Sequence, residues 1–225
     1  MRYRQLTLFD LDNTLLNGDT DYEWSRYLIR QGVLEAEQYE QSNDYFYTEY
    51  QNGRLDIQAF LEFQLKPLSL YSRAQLENWR QDFTCNRLLP MVNEKAKQLI
   101  AQHLLDKLTL CAIATATNSF ITALLVRQLG FAHLIATVPE WDGHQFTGKA
   151  RGEPAFQDGK VRRVEAWLEA MGECWGSFER VSFYSDSIND LPLLARVSHP
   201  CAVDPDPLLL AEARKNNWPV ISLLD

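Results

Sequence analysis

The 225-residue chain, 46% hydrophobic and 23% charged, has the make-up of an ordinary globular protein, sized for one large domain or one domain carrying a small insert. Its net charge of -8, with no Lys/Arg run, argues against a nucleic-acid-binding surface. Four scattered cysteines (Cys85, Cys111, Cys174, Cys201), with no C-x-x-C pair and no His at ligand spacing, argue against a zinc site and a disulfide framework. Met1-Arg2-Tyr3-Arg4-Gln5 leads into an apolar run far too short for a signal peptide, and no stretch is long enough to span a bilayer. The expectation is a cytoplasmic protein, monomer or homodimer, with neither membrane nor nucleic acid as partner.

Taken in chain order, Leu6-Thr7-Leu8-Phe9 reads as a short strand ended by acidic and turn residues. From Tyr22 to Phe83 the spacing is helical: Trp24, Tyr27 and Leu28 stand at i, i+3 and i+4, and Ile57-Phe60-Leu61 and Leu76-Trp79-Arg80-Phe83 repeat it. A helix over Glu94–Leu105 precedes the apolar strand Leu108–Ala114, and a helix over Phe120–Leu129 is closed by Gly130. Leu134–Val138 is a short strand and Trp141-Asp142-Gly143-His144 a hairpin turn. Val161, Val164, Leu168 and Met171 mark an amphipathic helix. A strand over Arg180–Tyr184, a short helix over Leu191–Ala195 and a final strand at Val220-Ile221 complete the order. Alternating strands and helices predict an α/β fold with a parallel sheet covered on both faces, and the all-helical stretch after the first strand reads as an insertion.

Ligands of open α/β sheets bind beyond the carboxyl ends of the strands. Three apolar runs here end in polar groups: Phe9 is followed by Asp10 and Asp12, Ala114 by Thr115, and Tyr184 by Ser185, Asp186 and then Asp190. Each alone is ordinary. An isolated Asp-x-Asp is usually a loop or helix cap, Ser-Asp-Ser a routine N-cap, and Thr115 the start of a helix. Together they are the groups that hold a metal and a phosphate. Carboxylates cannot approach a phosphate dianion without charge neutralisation, which Mg2+ supplies through oxygen ligands. One carboxylate can then attack phosphorus while a second handles the proton. A hydroxyl and a lysine ammonium hold the remaining phosphoryl oxygens.

The same residues carry a family resemblance. Asp10-Leu11-Asp12-Asn13-Thr14 resembles the D-x-D-x-T first motif of the haloacid dehalogenase superfamily of phosphatases. Thr115 corresponds to the second motif, Lys160 to the third, and Ser185-Asp186-Ser187-Ile188-Asn189-Asp190 to the acidic fourth, where Ser185 replaces the usual Gly. The resemblance implies a Rossmann-like core over residues 1–16 and 86–225, with a small helical cap over 17–85 like that of the phosphoserine-phosphatase branch. It implies Asp10 as nucleophile and Mg2+ ligand, and Asp12 as general acid/base with its carbonyl on the metal. Asp186 is then a ligand, Asp190 supports the metal site, and Thr115, Lys160 and Asn189 serve phosphate or substrate. Thr117 competes with Thr115, which is preferred for directly following the strand; Lys149 competes with Lys160, which is preferred for opening a helix.

In the cap, acidic residues outnumber basic ones two to one, mostly a matter of solvated helix faces. Asp19 and Asp21 differ because they follow the catalytic loop. Phosphoserine phosphatases hold the substrate ammonium with a Glu at about the place of Asp19, and the substrate carboxylate with a cap Arg, where a loose alignment puts Gln64. An amide cannot replace a guanidinium fork. The expected substrate is therefore a small phosphorylated metabolite with an amino group and no carboxylate, such as histidinol phosphate. Tyr45, Phe46, Tyr47 and Tyr50 could stack on an imidazole, though their spacing also suits cap core. The rival readings are phosphoserine phosphatase, a phosphotransferase with the same motifs, and a non-catalytic protein phosphorylated on Asp.

Overall fold

Two alternating sets of apolar side chains on the central strands build the molecule from the inside. In the computed structural model, which describes residues 3–224 (the side chain of Gln38 excepted), Leu6 and Leu8 of the first strand face one core and Phe9 the other. On the second strand Leu110, Ala112 and Ala114 join the first core, and Cys111 and Ile113 the second. Period-two alternation with both faces apolar is what a parallel sheet covered by helices requires. Met1 and Arg2, where the short leader reading begins, lie outside the described residues.

The strands are β1 (Gln5–Phe9), β2 (Thr109–Asn118), β3 (Leu134–Thr137), β4 (Pro139–Trp141), β5 (Phe146–Ala150), β6 (Arg180–Ser185), β7 (His199–Val203) and β8 (Val220–Ile221). Six form one parallel sheet in the order β3-β2-β1-β6-β7-β8, while β4 and β5 pair as an antiparallel hairpin. The helices are α1 (Thr20–Arg30), α2 (Ala36–Gln51), α3 (Ile57–Leu65), α4 (Arg73–Phe83), α5 (Glu94–Leu105), α6 (Ser119–Gln128), α7 (Asp158–Ala170), α8 (Leu191–Arg196) and α9 (Pro207–Lys215). Ala96 and Ile100 of α5 and Ile121 and Leu125 of α6 cover one face; Val164 and Leu168 of α7, Leu193 of α8 and Leu209 of α9 cover the other. Among the described residues no helix is long and apolar enough to cross a membrane.

Helices α1 to α4 form the insertion between β1 and β2. Their starts are written locally: Asp19 and Asp56 accept from main-chain N–H groups of the first turns of α1 and α3, and Ser72 and Gln75 make a capping box on α4. Trp24 packs within 5.5 Å of Tyr27 and 5.1 Å of Phe83, ring centroid to centroid, and this aromatic core is continuous with the Phe9 face of the sheet. The two chain crossings meet. Leu16 bridges Val92, and Asn17 N–H donates to the Met91 carbonyl at 2.8 Å, so the insertion leaves and re-enters the core at one place. On its far side Arg73 lies over Phe120, Trp141 and Phe146, tying α4 to the β4–β5 hairpin.

Three elements differ from the sequence reading. β2 runs four residues past Ala114 because Thr115 and Asn118 still pair with β3, across an irregularity in register. β7 and α9 are additional to the expected elements. Pro200 sits in β7, and a proline makes a strand read as a loop. Asp206 and Pro207 at the start of α9 are a cap-and-proline start signal.

Candidate active site

Strands β1, β2 and β6 lie side by side, so the residues following or ending them come together. Asp10 N–H still donates to the Tyr184 carbonyl at 2.9 Å, which keeps the tip of β1 in the sheet. Asp10 is 3% exposed, and its Oδ1 accepts from Lys160 Nζ at 2.9 Å. Lys160, in the first turn of α7, is 2% exposed and also pairs with Asp190 at 2.5 Å. Ser185 Oγ donates to the other oxygen of Asp190 at 2.7 Å. Asp12 accepts from Thr20 N–H at 2.7 Å through one oxygen, and from the hydroxyls of Thr117 (2.8 Å) and Thr115 (3.4 Å) through the other. Thr14 Oγ1 donates to Asp186 Oδ1 at 2.8 Å and accepts from Asp186 N–H at 3.0 Å, clamping the loop after β1 to the loop after β6.

Burial without enough positive charge dominates the electrostatics. Asp10 is pushed up to about 7, chiefly by burial, with Lys160 opposing and Asp190 and Asp12 adding to the rise. Burial also raises Asp12, against hydrogen bonds from Thr20 and Thr117. Asp186 stands well above the usual carboxylate range through burial and the nearby charge of Asp10. Lys160 is held above its ordinary value because Asp10 and Asp190 outweigh its burial. The excess of carboxylates over the one ammonium calls for a further cation, and an all-oxygen donor set suits Mg2+. Among the described residues no three His, Cys, Asp or Glu side chains stand at metal-ligand spacing. Asp10 and Asp186, with a main-chain oxygen such as that of Asp12, are the candidate donors.

Beside these groups opens a narrow cleft. Asp10, Asp12, Thr115 and Thr117 form one end, and Tyr22, Phe46, Tyr47, Tyr50, Phe60 and Phe156 form much of the wall. Among the described residues its charged lining groups are all carboxylates: Asp19 and Asp21 join Asp10 and Asp12, with no Lys, Arg or His. Asp19 Oδ1 accepts from Tyr22 N–H at 2.7 Å as the cap of α1. Burial and the neighbouring Asp12 and Asp21 raise it well above its ordinary value. Asp21 is pushed up to about 7 by burial and by Asp12. Gln64 is buried in the same wall. It accepts from Ser25 Oγ at 3.2 Å and donates to the Asp21 carbonyl at 3.3 Å, spanning α3 to α1.

Of the residues singled out in the sequence, Asp10, Asp12, Thr115, Lys160, Asp186 and Asp190 converge, and Asp19 lines the cleft. Lys149 lies exposed on β5, whereas Lys160 is buried against Asp10. Thr117 stands with Thr115 rather than in its place. Asn189 is turned from the cleft: its amide donates to the Tyr50 carbonyl at 2.9 Å and to Ser187 Oγ at 3.2 Å, and its oxygen accepts from Gln157 at 3.3 Å. It joins the loop after β6 to the end of α2. Thr14, whose clamp on Asp186 the sequence reading left without a role, had its signal in the last letter of D-x-D-x-T.

Lys160 reaches Asp10 because Gly159 lets α7 start close against the preceding loop. A Cβ on Gly159 would fall on the carbonyl oxygen of Pro154, so the turn must shift. Gly159→Ala is expected to lower kcat at least ~10-fold by displacing the ammonium. Steady-state kinetics of a folded variant check this, and an unchanged kcat would mean the ammonium's position is immaterial.

A model of the haloacid dehalogenase-like hydrolases matches residues 7–195. The chain is 40% identical over 222 residues to a histidinol-phosphatase of Neisseria meningitidis serogroup C (strain 8013), covering 97% of this chain and 99% of that one. It superposes at a TM-score of 0.92 and 41% identity on a crystal structure of a protein of unknown function from Bordetella pertussis Tohama I, over 99% and 100% of the two chains. A phospho-aspartyl intermediate analogue of phosphoserine phosphatase shares the fold at a TM-score of 0.70 and 19% identity, over 99% and 94%. With the family model spanning most of its length and a 40% identical relative nearly all of it, this chain belongs to the haloacid dehalogenase-like hydrolases and is a phosphatase.

Proposed function

We propose that the chain is a Mg2+-dependent phosphomonoesterase for a small amino-bearing ester, with histidinol phosphate as the substrate that fits best. The observation that carries this is the cleft beside Asp10 and Asp12, aromatic along its wall and charged only by carboxylates. A substrate carboxylate would meet Asp19 and Asp21 with no guanidinium to receive it, a like-charge arrangement costing several kcal/mol. A substrate ammonium finds acceptors there, Asp19 first among them. The name of the 40% identical relative, a histidinol-phosphatase, supports the same choice. Residues 17–85 serve as the cap that selects the ester, over a core of 1–16 and 86–225.

Asp10, Asp186 and the main-chain carbonyl of Asp12 would hold Mg2+, which supplies charge neutralisation for the phosphate dianion. Asp10 attacks phosphorus, forming an Asp10–phosphate bond as the ester P–O bond breaks. Asp12 gives its proton to the departing alkoxide; burial, by raising Asp12, favours the protonated form that this step needs. Water then loses a proton to Asp12 and attacks the same phosphorus, releasing inorganic phosphate and the Asp10 carboxylate. Lys160, held in place by Asp190, and Thr115 with Thr117 bind phosphoryl oxygens while charge builds on them.

Purified protein assayed against histidinol phosphate, phosphoserine and p-nitrophenyl phosphate tests the reading. The expected kcat/KM for histidinol phosphate exceeds that for phosphoserine by at least ~30-fold, with all turnover lost in EDTA and restored by Mg2+. Phosphoserine turned over as well as histidinol phosphate would sink the substrate assignment. Turnover that survives EDTA would sink the metal.

A further inference from the structure

We propose that Asp21 is a specificity residue that accepts a second basic nitrogen of the substrate, distinct from the ammonium assigned to Asp19. The inference rests on the reading that the cleft takes an aminoalkyl phosphate. It narrows the substrate class to phosphate monoesters with two nitrogen centres, one a primary ammonium and the other on a ring able to lie along the aromatic wall.

Two carboxylates so close in sequence can serve one cation or two, and their surroundings separate them. Asp19 precedes α1 in extended backbone, and one of its oxygens is spent on Tyr22 N–H. Asp21 lies inside the first turn, 5% exposed, and meets the core side of the cleft, where Asn118 Nδ2 approaches Oδ1 at 3.5 Å. Asn118 is itself fixed, since its own oxygen accepts from Ile121 N–H at the start of α6. Gln64 holds the main chain of Asp21, and Asn43 donates to the next carbonyl, that of Tyr22, at 3.0 Å. The turn carrying Asp21 is thus pinned from α2 and α3.

Every one of these partners is neutral. Among the described residues neither Asp19 nor Asp21 takes part in an ion pair, although other carboxylates of the same insertion, Glu49 and Glu77, do. A buried carboxylate held only by a neutral amide, Asn118, and a neutral hydroxyl, Thr117, keeps its desolvation penalty without a compensating charge. The helix dipole favours an acid in a first turn, but that gain is small beside the cost of burial. A cation arriving with the ligand would supply that charge. Asp19 stands in the loop before α1 and Asp21 on the β2 side beside Asn118, so two nitrogen centres on one ester can meet one carboxylate each. Tyr22, Phe46 and Tyr47 in the same wall supply flat apolar surface for the ring.

The test compares Asp21→Asn and Asp19→Asn with the parent protein on histidinol phosphate, which carries both nitrogen centres, and on phosphoethanolamine, which carries only the ammonium. For Asp21→Asn the loss of kcat/KM on histidinol phosphate is expected to exceed the loss on phosphoethanolamine by about 30-fold or more, mostly through KM. Asp19→Asn is expected to lower both comparably. Equal losses on the two esters in Asp21→Asn, with the parent still preferring histidinol phosphate to phosphoserine, would overturn the role of Asp21 alone. A parent that prefers phosphoserine overturns this inference and the substrate reading together. Competitive inhibition by histidinol gives a second readout on folded protein: its affinity should fall in Asp21→Asn, and an unchanged inhibition constant counts against the proposal.

Discussion

Asp10→Asn is expected to lower turnover by at least ~10^4-fold while the protein stays folded. The amide oxygen in the place of Oδ1 can still accept from Lys160, but asparagine has no charged oxygen with which to attack phosphorus. Stability should move the other way. Burial holds Asp10 near 7 in the folded chain against an ordinary value of 3.8, so the native state keeps this proton to higher pH than the unfolded state. Between those values the native state binds more protons, and without metal stability falls as pH rises through the window. Asparagine has no such titration. In EDTA the variant should therefore lose less stability than its parent on going from pH 5 to pH 8. Steady-state assays with thermal unfolding at both pH values check the two halves separately. Near-normal turnover would remove Asp10 from the nucleophile role, and an equal pH response would show that its burial matters little.

Lys160→Met carries the second large effect, on stability and rate together. The ammonium sits between Asp10 and Asp190 with almost no exposure. Removing it leaves two carboxylates facing each other in a buried site, a change that costs ~3–5 kcal/mol when one partner of a buried pair is deleted. The cost should grow with pH, because Asp10 is half protonated near 7 and increasingly charged above it. Phosphoryl transfer should slow by a further ~10^2 to 10^3-fold for want of a fixed positive charge. Denaturant midpoints at pH 6 and pH 8, with and without Mg2+, measure the first effect, and Mg2+ is expected to recover part of the loss. A midpoint unchanged at both pH values would mean that the pair contributes nothing.

Much of this was legible in the residues alone. Short apolar runs marked the described strands of the central sheet except β7, and polar residues at three of their ends pointed to one site, because parallel strands put their carboxyl ends on the same edge. The uneven parts have physical reasons. β2 continues through Thr115 and Thr117 although the letters turn polar, since both hydroxyls are buried against Asp12 and lose nothing by staying in the sheet. Lys149 and Lys160 were separable only by context; burial against Asp10 is a long-range fact, spanning 150 positions. Asp21 is an everyday first-turn acid in sequence, and only folding brings Asn118 beside it and withholds a cation. Asn189 sits in an acidic motif, yet its amide is turned to the Tyr50 carbonyl on α2, a pairing that local pattern does not announce.

The meeting of Leu16 with Val92 has a consequence for how such a molecule changes over generations. A segment whose two ends touch can be lengthened, trimmed or swapped with little disturbance to the strands that flank it, because the gap it must close stays one bridge wide. Asp10, Asp12 and Asp186 belong to the strand tips, while Asp19, Asp21 and Gln64 belong to the looped-out segment. Heredity can therefore try new clefts against an unaltered chemical step. A recombinant carrying another relative's segment between Leu16 and Val92 would inherit that relative's appetite for esters and this chain's way of breaking them.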